Sequence, residues 1–228
     1  TLCETLLPVL PRLLSRVRAM FDLYCEPSEI YAALSRMNDI RPGLCRLGTR
    51  VPGCFDVFEM AARAVLGQQI TVKAAGTLAG RIAGAFGVPV VTGVDGLTRT
   101  FPPPEAILSL EGGAERRLGE LGVISARAAA MRTIAEKLVK REINLGLCPS
   151  PEEEIKKLLE IRGVGSWTAC YIAMRAMSWT DAFLETDAGI KKALAGYTPK
   201  ELLKMSEEWK PWRSYATVNI WNSLYKED

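Results

Sequence analysis

Histidine is absent from this chain of 228 residues. That removes the side chain best suited to acid–base work near neutrality and leaves Asp, Glu, Lys, Cys and Tyr as the main general-base candidates. The cysteines, Cys3, Cys25, Cys45, Cys54, Cys148 and Cys170, include no CxxC pair. Their spacing therefore gives neither a zinc site nor an iron–sulfur cluster, and they are expected to be reduced, buried thiols that pack as small apolar groups. No run approaches the roughly 18 apolar residues of a membrane-spanning helix. The opening Thr1-Leu2-Cys3-Glu4 shows no basic segment followed by an apolar one, so no signal peptide is predicted and a cytoplasmic location is expected. Strand-like alternation, fixed-period repeats and low-complexity tracts are almost absent.

What is present is an ordinary globular composition, 48% hydrophobic and 24% charged, with enough apolar side chain for one good core or two modest ones. The net charge of +3 is only mildly basic, so any nucleic-acid footprint must be local. Helical spacing of Leu10, Leu13, Leu14, Val17 and Met20 predicts a helix over Leu6 to Tyr24, and Pro27 marks a break before another at Ile30 to Met37. Pro42, Gly43, Gly48, Pro52 and Gly53 punctuate a linker, after which Val57 to Val65 and Ala75 to Phe86 carry helical stripes, the second ending at Gly87 as a left-handed cap. Pro89 to Pro104 reads as loop. Helices are predicted at Pro104 to Leu110, Ala114 to Leu121 and Ala126 to Val139, then from Pro151 behind an N-cap at Ser150. Beyond Gly163 they resume at Trp167 to Met177, Ala188 to Leu194, Pro199 to Trp209 and Trp212 to Tyr225.

Two local features carry chemistry. The stretch Leu158-Leu159-Glu160-Ile161-Arg162-Gly163-Val164-Gly165-Ser166-Trp167-Thr168-Ala169 joins two helices through glycines two apart. Alone it reads first as an ordinary helix connection with a glycine cap; in context it can be a turn whose amides and helix dipole hold a phosphate oxygen. Asp187, at the end of the loop from Ser178, is locally an N-cap for the following helix. Glu185 and Asp181 read as solvated loop carboxylates.

Together, Leu158 to Met174 resemble the helix-hairpin-helix of DNA base-excision glycosylases, and Phe183-Leu184-Glu185-Thr186-Asp187 lies where that superfamily keeps its aspartate. Val51-Pro52-Gly53-Cys54-Phe55-Asp56, Ala64-Val65-Leu66-Gly67-Gln68-Gln69 and Trp209-Lys210-Pro211-Trp212-Arg213-Ser214-Tyr215-Ala216 are similar to the bacterial 3-methyladenine DNA glycosylase II family. The motifs stand in the family's order and span most of the chain.

The resemblance implies an all-α, two-lobed fold with the DNA and active-site cleft between the lobes. Residues 1–50 would form an N-terminal helical segment packing on the second lobe, and residues 51–228 the glycosylase domain, with the hairpin at about 155–177. The upstream α/β domain of relatives would lie largely outside this chain. The implied function is hydrolysis of the N-glycosidic bond of alkylated purines, such as 3-methyladenine and 7-methylguanine, in duplex DNA by a bacterial, nucleoid-associated monomer. Excision of oxidised or deaminated bases and a non-catalytic DNA anchor are the alternatives. Asp187 would be the catalytic carboxylate, stabilising an oxocarbenium-like transition state and activating water.

Trp167, Tyr171 and Trp221 match the aromatics lining the base pocket, whose electron-rich faces suit a cationic base flipped out of the duplex. Gly163, Val164, Gly165 and Ser166 would hold the DNA backbone, Gln68 would also bind DNA, and Gln69 would lie at the gap left by the flipped base. Members that also cut the sugar–phosphate backbone carry a lysine where this chain has Trp167, which implies a glycosylase without lyase activity. Gln69 stands where the relative has leucine, and Arg162 replaces a more usual proline. No cofactor is required; the resemblance implies a monovalent cation, Na+ or K+, on the backbone carbonyls of Leu159, Ile161 and Val164. Trp209 and Trp212 are read as structural, and Lys191 and Lys192 as facing phosphate or solvent.

Overall fold

A computed structural model describes residues 4–225. The chain starts with a 3-10 turn at Glu4–Val9, then α1 (Leu10–Met20), α2 (Pro27–Leu34), α3 (Met37–Ile40), α4 (Val57–Leu66) and α5 (Val72–Phe86). There follow α6 (Pro104–Leu108), α7 (Ala114–Gly119), α8 (Ser125–Val139), α9 (Pro151–Leu159) and α10 (Ser166–Ala176). The last elements are α11 (Ala188–Ala193), α12 (Pro199–Ser206), a 3-10 turn at Glu207–Trp209 and α13 (Arg213–Asn222). The expected all-α fold holds. Between α5 and α6 a lone antiparallel bridge pairs Pro89 with Arg99, too little to make a sheet. Among the described residues no helix is long and apolar enough to cross a membrane.

Several boundaries differ from the sequence pattern for identifiable reasons. The helix expected from Leu6 to Tyr24 is divided, with Pro8 inside the 3-10 turn and a proline in the first turn of α1. A proline cannot donate into an α-helical ladder, but it suits a helix start. Pro27 likewise opens α2 rather than merely interrupting. Gly87 is not a left-handed cap: its φ is −77° and its ψ 156°. Glycine is required there by close approach, because a Cβ would lie 2.0 Å from the Thr100 carbonyl oxygen and 2.5 Å from that of Ala83. Ser150 occupies the N-cap position of α9 without a side-chain cap bond. Glu154 is buried, accepting from the Asn144 N–H at 2.8 Å and from Lys157 at 2.7 Å.

The chain divides into two compact units, Asp56–Ile172 and Thr1–Phe55 together with Ala173–Asp228, the boundary falling inside α10. In the first, α8 packs against α4, α6 and α7, around Leu66, Ile107, Leu118, Met131 and Ile134. Alanines along α8 give it a flat surface that neighbours approach closely. In the second, α11 packs on α13, with Ile190 and Ile220 fully buried. The N-terminal segment is tied to α13 by hydrogen bonds from the Arg46 N–H and the Thr49 hydroxyl to Asn219 Oδ1 at 3.0 and 2.8 Å. Trp209 is buried edge-on against Phe183, and Trp212 meets Tyr215 edge-on. Both tryptophans are therefore packing groups of this unit.

Of the described cysteines only Cys45 is buried, and burial pushes its thiol up to about 11; Cys25, Cys54, Cys148 and Cys170 are part-exposed, and Cys3 lies outside the described residues. The expectation of uniformly buried thiols thus fails for four of the five. Asp181 is no solvated loop carboxylate either: Arg213 grips it with two bonds of 2.7 and 2.8 Å, and both side chains are less than one-fifth exposed. A forked pair of this kind holds the loop before Asp187 against α13.

Candidate active site

In the unit spanning Asp56–Ile172, the predicted hairpin forms between α9 and α10. Gly163 has φ +92°, a conformation that β-carbon sterics disfavour in other residues, and its open side faces α8, with the Ala126 carbonyl oxygen and Ala130 Cβ each 3.5 Å from where a Cβ would sit. Val164 is buried and its N–H donates to the Ile161 carbonyl at 2.9 Å, pinning the turn from inside. Arg162, Gly163, Gly165 and Ser166 are exposed. The Gly165 carbonyl accepts from the Ala169 N–H at 3.0 Å, the first bond of α10. The amides at Gly165 and Ser166 precede that bond and belong to the open positive end of the helix, which attracts an anionic oxygen.

Gln68, expected to bind DNA, is bonded to the hairpin. Its side-chain amide nitrogen donates to the Gly163 carbonyl at 2.8 Å and to Thr168 Oγ1 at 2.9 Å, while its own backbone carbonyl accepts from Arg127 on α8. Both amide hydrogens are turned toward the hairpin, so Gln68 is a brace for the turn. Gln69 is exposed with φ +53°, which turns the chain sharply and leaves its side chain at the surface. Removing the brace takes a donor from the Gly163 carbonyl and from the hydroxyl of buried Thr168. Gln68→Leu is expected to cost about 1–3 kcal/mol, read as a lowered melting temperature, and to weaken duplex binding in a filter or anisotropy titration. Wild-type melting and binding in Gln68→Leu would remove the bracing role.

Trp167 and Tyr171, one turn apart on α10, stack with centroids 5.0 Å apart and planes at 10°. Both are half-buried, so this pair keeps aromatic surface toward solvent. Leu159, Ile161 and Val164 line the same turn, and the Ile161 carbonyl already accepts the Val164 N–H, which leaves it one lone pair for a cation. Among the described residues no cluster of His, Cys, Asp and Glu is arranged for a metal ion.

In the unit containing Ala173–Asp228, Asp187 caps α11 and does more. Its Oδ1 accepts from the Ile190 N–H at 3.0 Å and from the indole Nε1–H of Trp221 at 2.8 Å. Capping and a chemical role are compatible, because a cap engages one oxygen in a fixed direction. Trp221, expected as a stacking surface, thus spends its indole N–H on the carboxylate, and the guanidinium of Arg175 lies 5.6 Å from its ring centroid. Gly189 was not among the residues singled out from sequence. A Cβ there would lie 2.9 Å from Trp221 Cδ1 and 3.0 Å from Asp187 Oδ1, so only glycine lets the indole reach the carboxylate. The available signal was a glycine inside a predicted helix two residues after the aspartate. Lys191 and Lys192 are exposed on α11.

Comparison with known proteins places this geometry. Residues 1–56 match the AlkA N-terminal domain family. DNA-3-methyladenine glycosylase 2 of Escherichia coli is 35% identical over 214 residues, covering 94% of this chain and 72% of that protein. The chain belongs to the DNA-3-methyladenine glycosylase family. The family fold is seen in the 3-methyladenine DNA glycosylase from Archaeoglobus fulgidus, which matches 99% of this chain and 77% of that one with a TM-score of 0.69 at 23% identity. It is seen again in MBOgg1, solved with a low-affinity DNA ligand, at a TM-score of 0.76 and 22% identity over 94% of this chain and 75% of that one. These two likenesses bear on fold alone.

Proposed function

We propose that this family member is a monofunctional DNA glycosylase that hydrolyses the N-glycosidic bond of alkylated purines in duplex DNA. The observation that carries the reading is the carboxylate of Asp187, held through one oxygen by two N–H donors. As the base departs, positive charge builds on the sugar; a fixed carboxylate stabilises that charge and orients or deprotonates the attacking water. Histidine plays no part, since the chain has none. The Trp167–Tyr171 stack offers an electron-rich face, which favours a purine made cationic by alkylation over its neutral parent. The exposed amides of the hairpin suit a backbone phosphate, a contact that positions the protein without reading sequence. Exposed Gln69 suits the gap left by the flipped base, where its amide can bond the orphaned partner. The name of the Escherichia coli relative, a DNA-3-methyladenine glycosylase, supports both substrate and partner. The chemistry requires no cofactor, and the carbonyls of Leu159, Ile161 and Val164 are the place for a monovalent cation that neutralises charge between hairpin and phosphate.

Trp167 occupies the position at which a lysine would form a Schiff base with the sugar, so the product is an intact strand with an abasic site. Incubation with methylated duplex DNA is expected to release free 3-methyladenine and 7-methylguanine, with strand breaks appearing only after alkali. Breaks before alkali, or a protein–DNA adduct trapped by borohydride, would show lyase chemistry and overturn the monofunctional assignment. Release of oxidised purines in place of methylated ones would overturn the substrate assignment.

A further inference from the structure

We propose that Arg175 is a positioning residue for Asp187, acting through Trp221. The inference rests on reading Asp187 as the catalytic carboxylate. Arg175 lies on α10, half-buried, with its guanidinium 5.6 Å from the Trp221 ring centroid. Its Nη1 donates to the Pro52 carbonyl at 2.7 Å. The Nε1–H of the same indole donates to Asp187 Oδ1 at 2.8 Å. A chain of contacts therefore runs from the backbone at Pro52 through a cation and an aromatic ring to the carboxylate, entirely within one compact unit.

The anchor of this chain is rigid. The Gly53 N–H donates to the Met20 carbonyl at 2.9 Å, and a Cβ on Gly53 would lie 3.1 Å from the Ala19 carbonyl oxygen and 3.4 Å from that of Arg175. The Pro52–Gly53 backbone is thus pressed against the ends of both α1 and α10. A guanidinium laid on a ring face restrains the tilt of that ring, and its positive charge draws density from the indole, making the N–H a stronger donor. A stronger, better-aimed donor holds the Asp187 carboxylate in one rotation, as a reaction sensitive to orientation requires. The Val51–Gly53 segment, distant in sequence from Asp187, then contributes to catalysis by fixing Arg175.

Two variants separate this from simple packing. Arg175→Lys keeps a cation for the ring, whereas Arg175→Gln keeps a polar side chain with N–H donors but no charge. Arg175→Gln is expected to lower kcat on methylated duplex DNA about tenfold with KM little changed. It should also shift the Trp221 indole N–H resonance, assigned with Trp221→Phe, in the folded protein without DNA. Arg175→Lys is expected to restore most of kcat and of the resonance position. Equal losses in both variants with an unmoved indole resonance, or wild-type kcat in Arg175→Gln, would overturn the proposal. A wild-type rate in Asp187→Asn would instead remove the catalytic reading on which it rests. Inactive Asp187→Asn beside unaffected Arg175→Gln would remove this inference alone.

Discussion

Asp187→Asn is expected to release methylated bases at least about 10³-fold more slowly than the wild type while binding duplex DNA and melting almost unchanged. The two halves of that expectation come from different atoms. Asparagine is as good an N-cap as aspartate, and its side-chain oxygen can still accept from the Ile190 N–H and the Trp221 indole, so α11 and its packing on α13 survive. What disappears is the negative charge and the capacity to take a proton from water. Single-turnover base release from methylated duplex, beside a thermal melt and a binding titration, reads both halves. Excision at the wild-type rate would show that the carboxylate is only a helix cap.

Gly189→Ala is expected to slow base release about 10²-fold without unfolding the protein. Helix propensity pulls the other way, since alanine in a helix is favoured over glycine by roughly 1 kcal/mol. The added methyl, however, would sit 2.9 Å from Trp221 Cδ1 and 3.0 Å from Asp187 Oδ1, inside normal contact for both. The indole must retreat or the carboxylate must turn, and either ends the 2.8 Å bond between them. The two effects on stability oppose each other, so the test is a protein that still melts cooperatively near the wild-type temperature, with crippled turnover. If turnover in Gly189→Ala matched the wild type, close approach of Trp221 to Asp187 would not matter to the chemistry.

Much of the helical outline was legible because apolar residues recur at helical spacing and because Pro and Gly punctuate the chain where the ladder cannot continue. The errors are of one kind. Gly87 looks like a left-handed cap, yet the constraint on it comes from Thr100, thirteen positions away in sequence and in contact only once the loop closes. Asp181 looks like a surface carboxylate, yet Arg213 closes on it from α13. In each case a polar or backbone group took a partner remote in sequence, which local pattern does not encode.

By itself the sequence determined that the protein is helical, that a glycine turn separates α9 from α10, and that acid–base chemistry near neutrality cannot run through an imidazole. Periodicity, the steric freedom of glycine and the absence of histidine are properties of the chain alone. Only the tertiary structure decided which neighbours act on Asp187. Trp221 follows it by 34 positions, Arg175 precedes it on another helix and Pro52 stands far upstream. Hydrogen bonds and cation–ring contacts act over a few ångströms, so these residues influence the carboxylate only because folding brings them together.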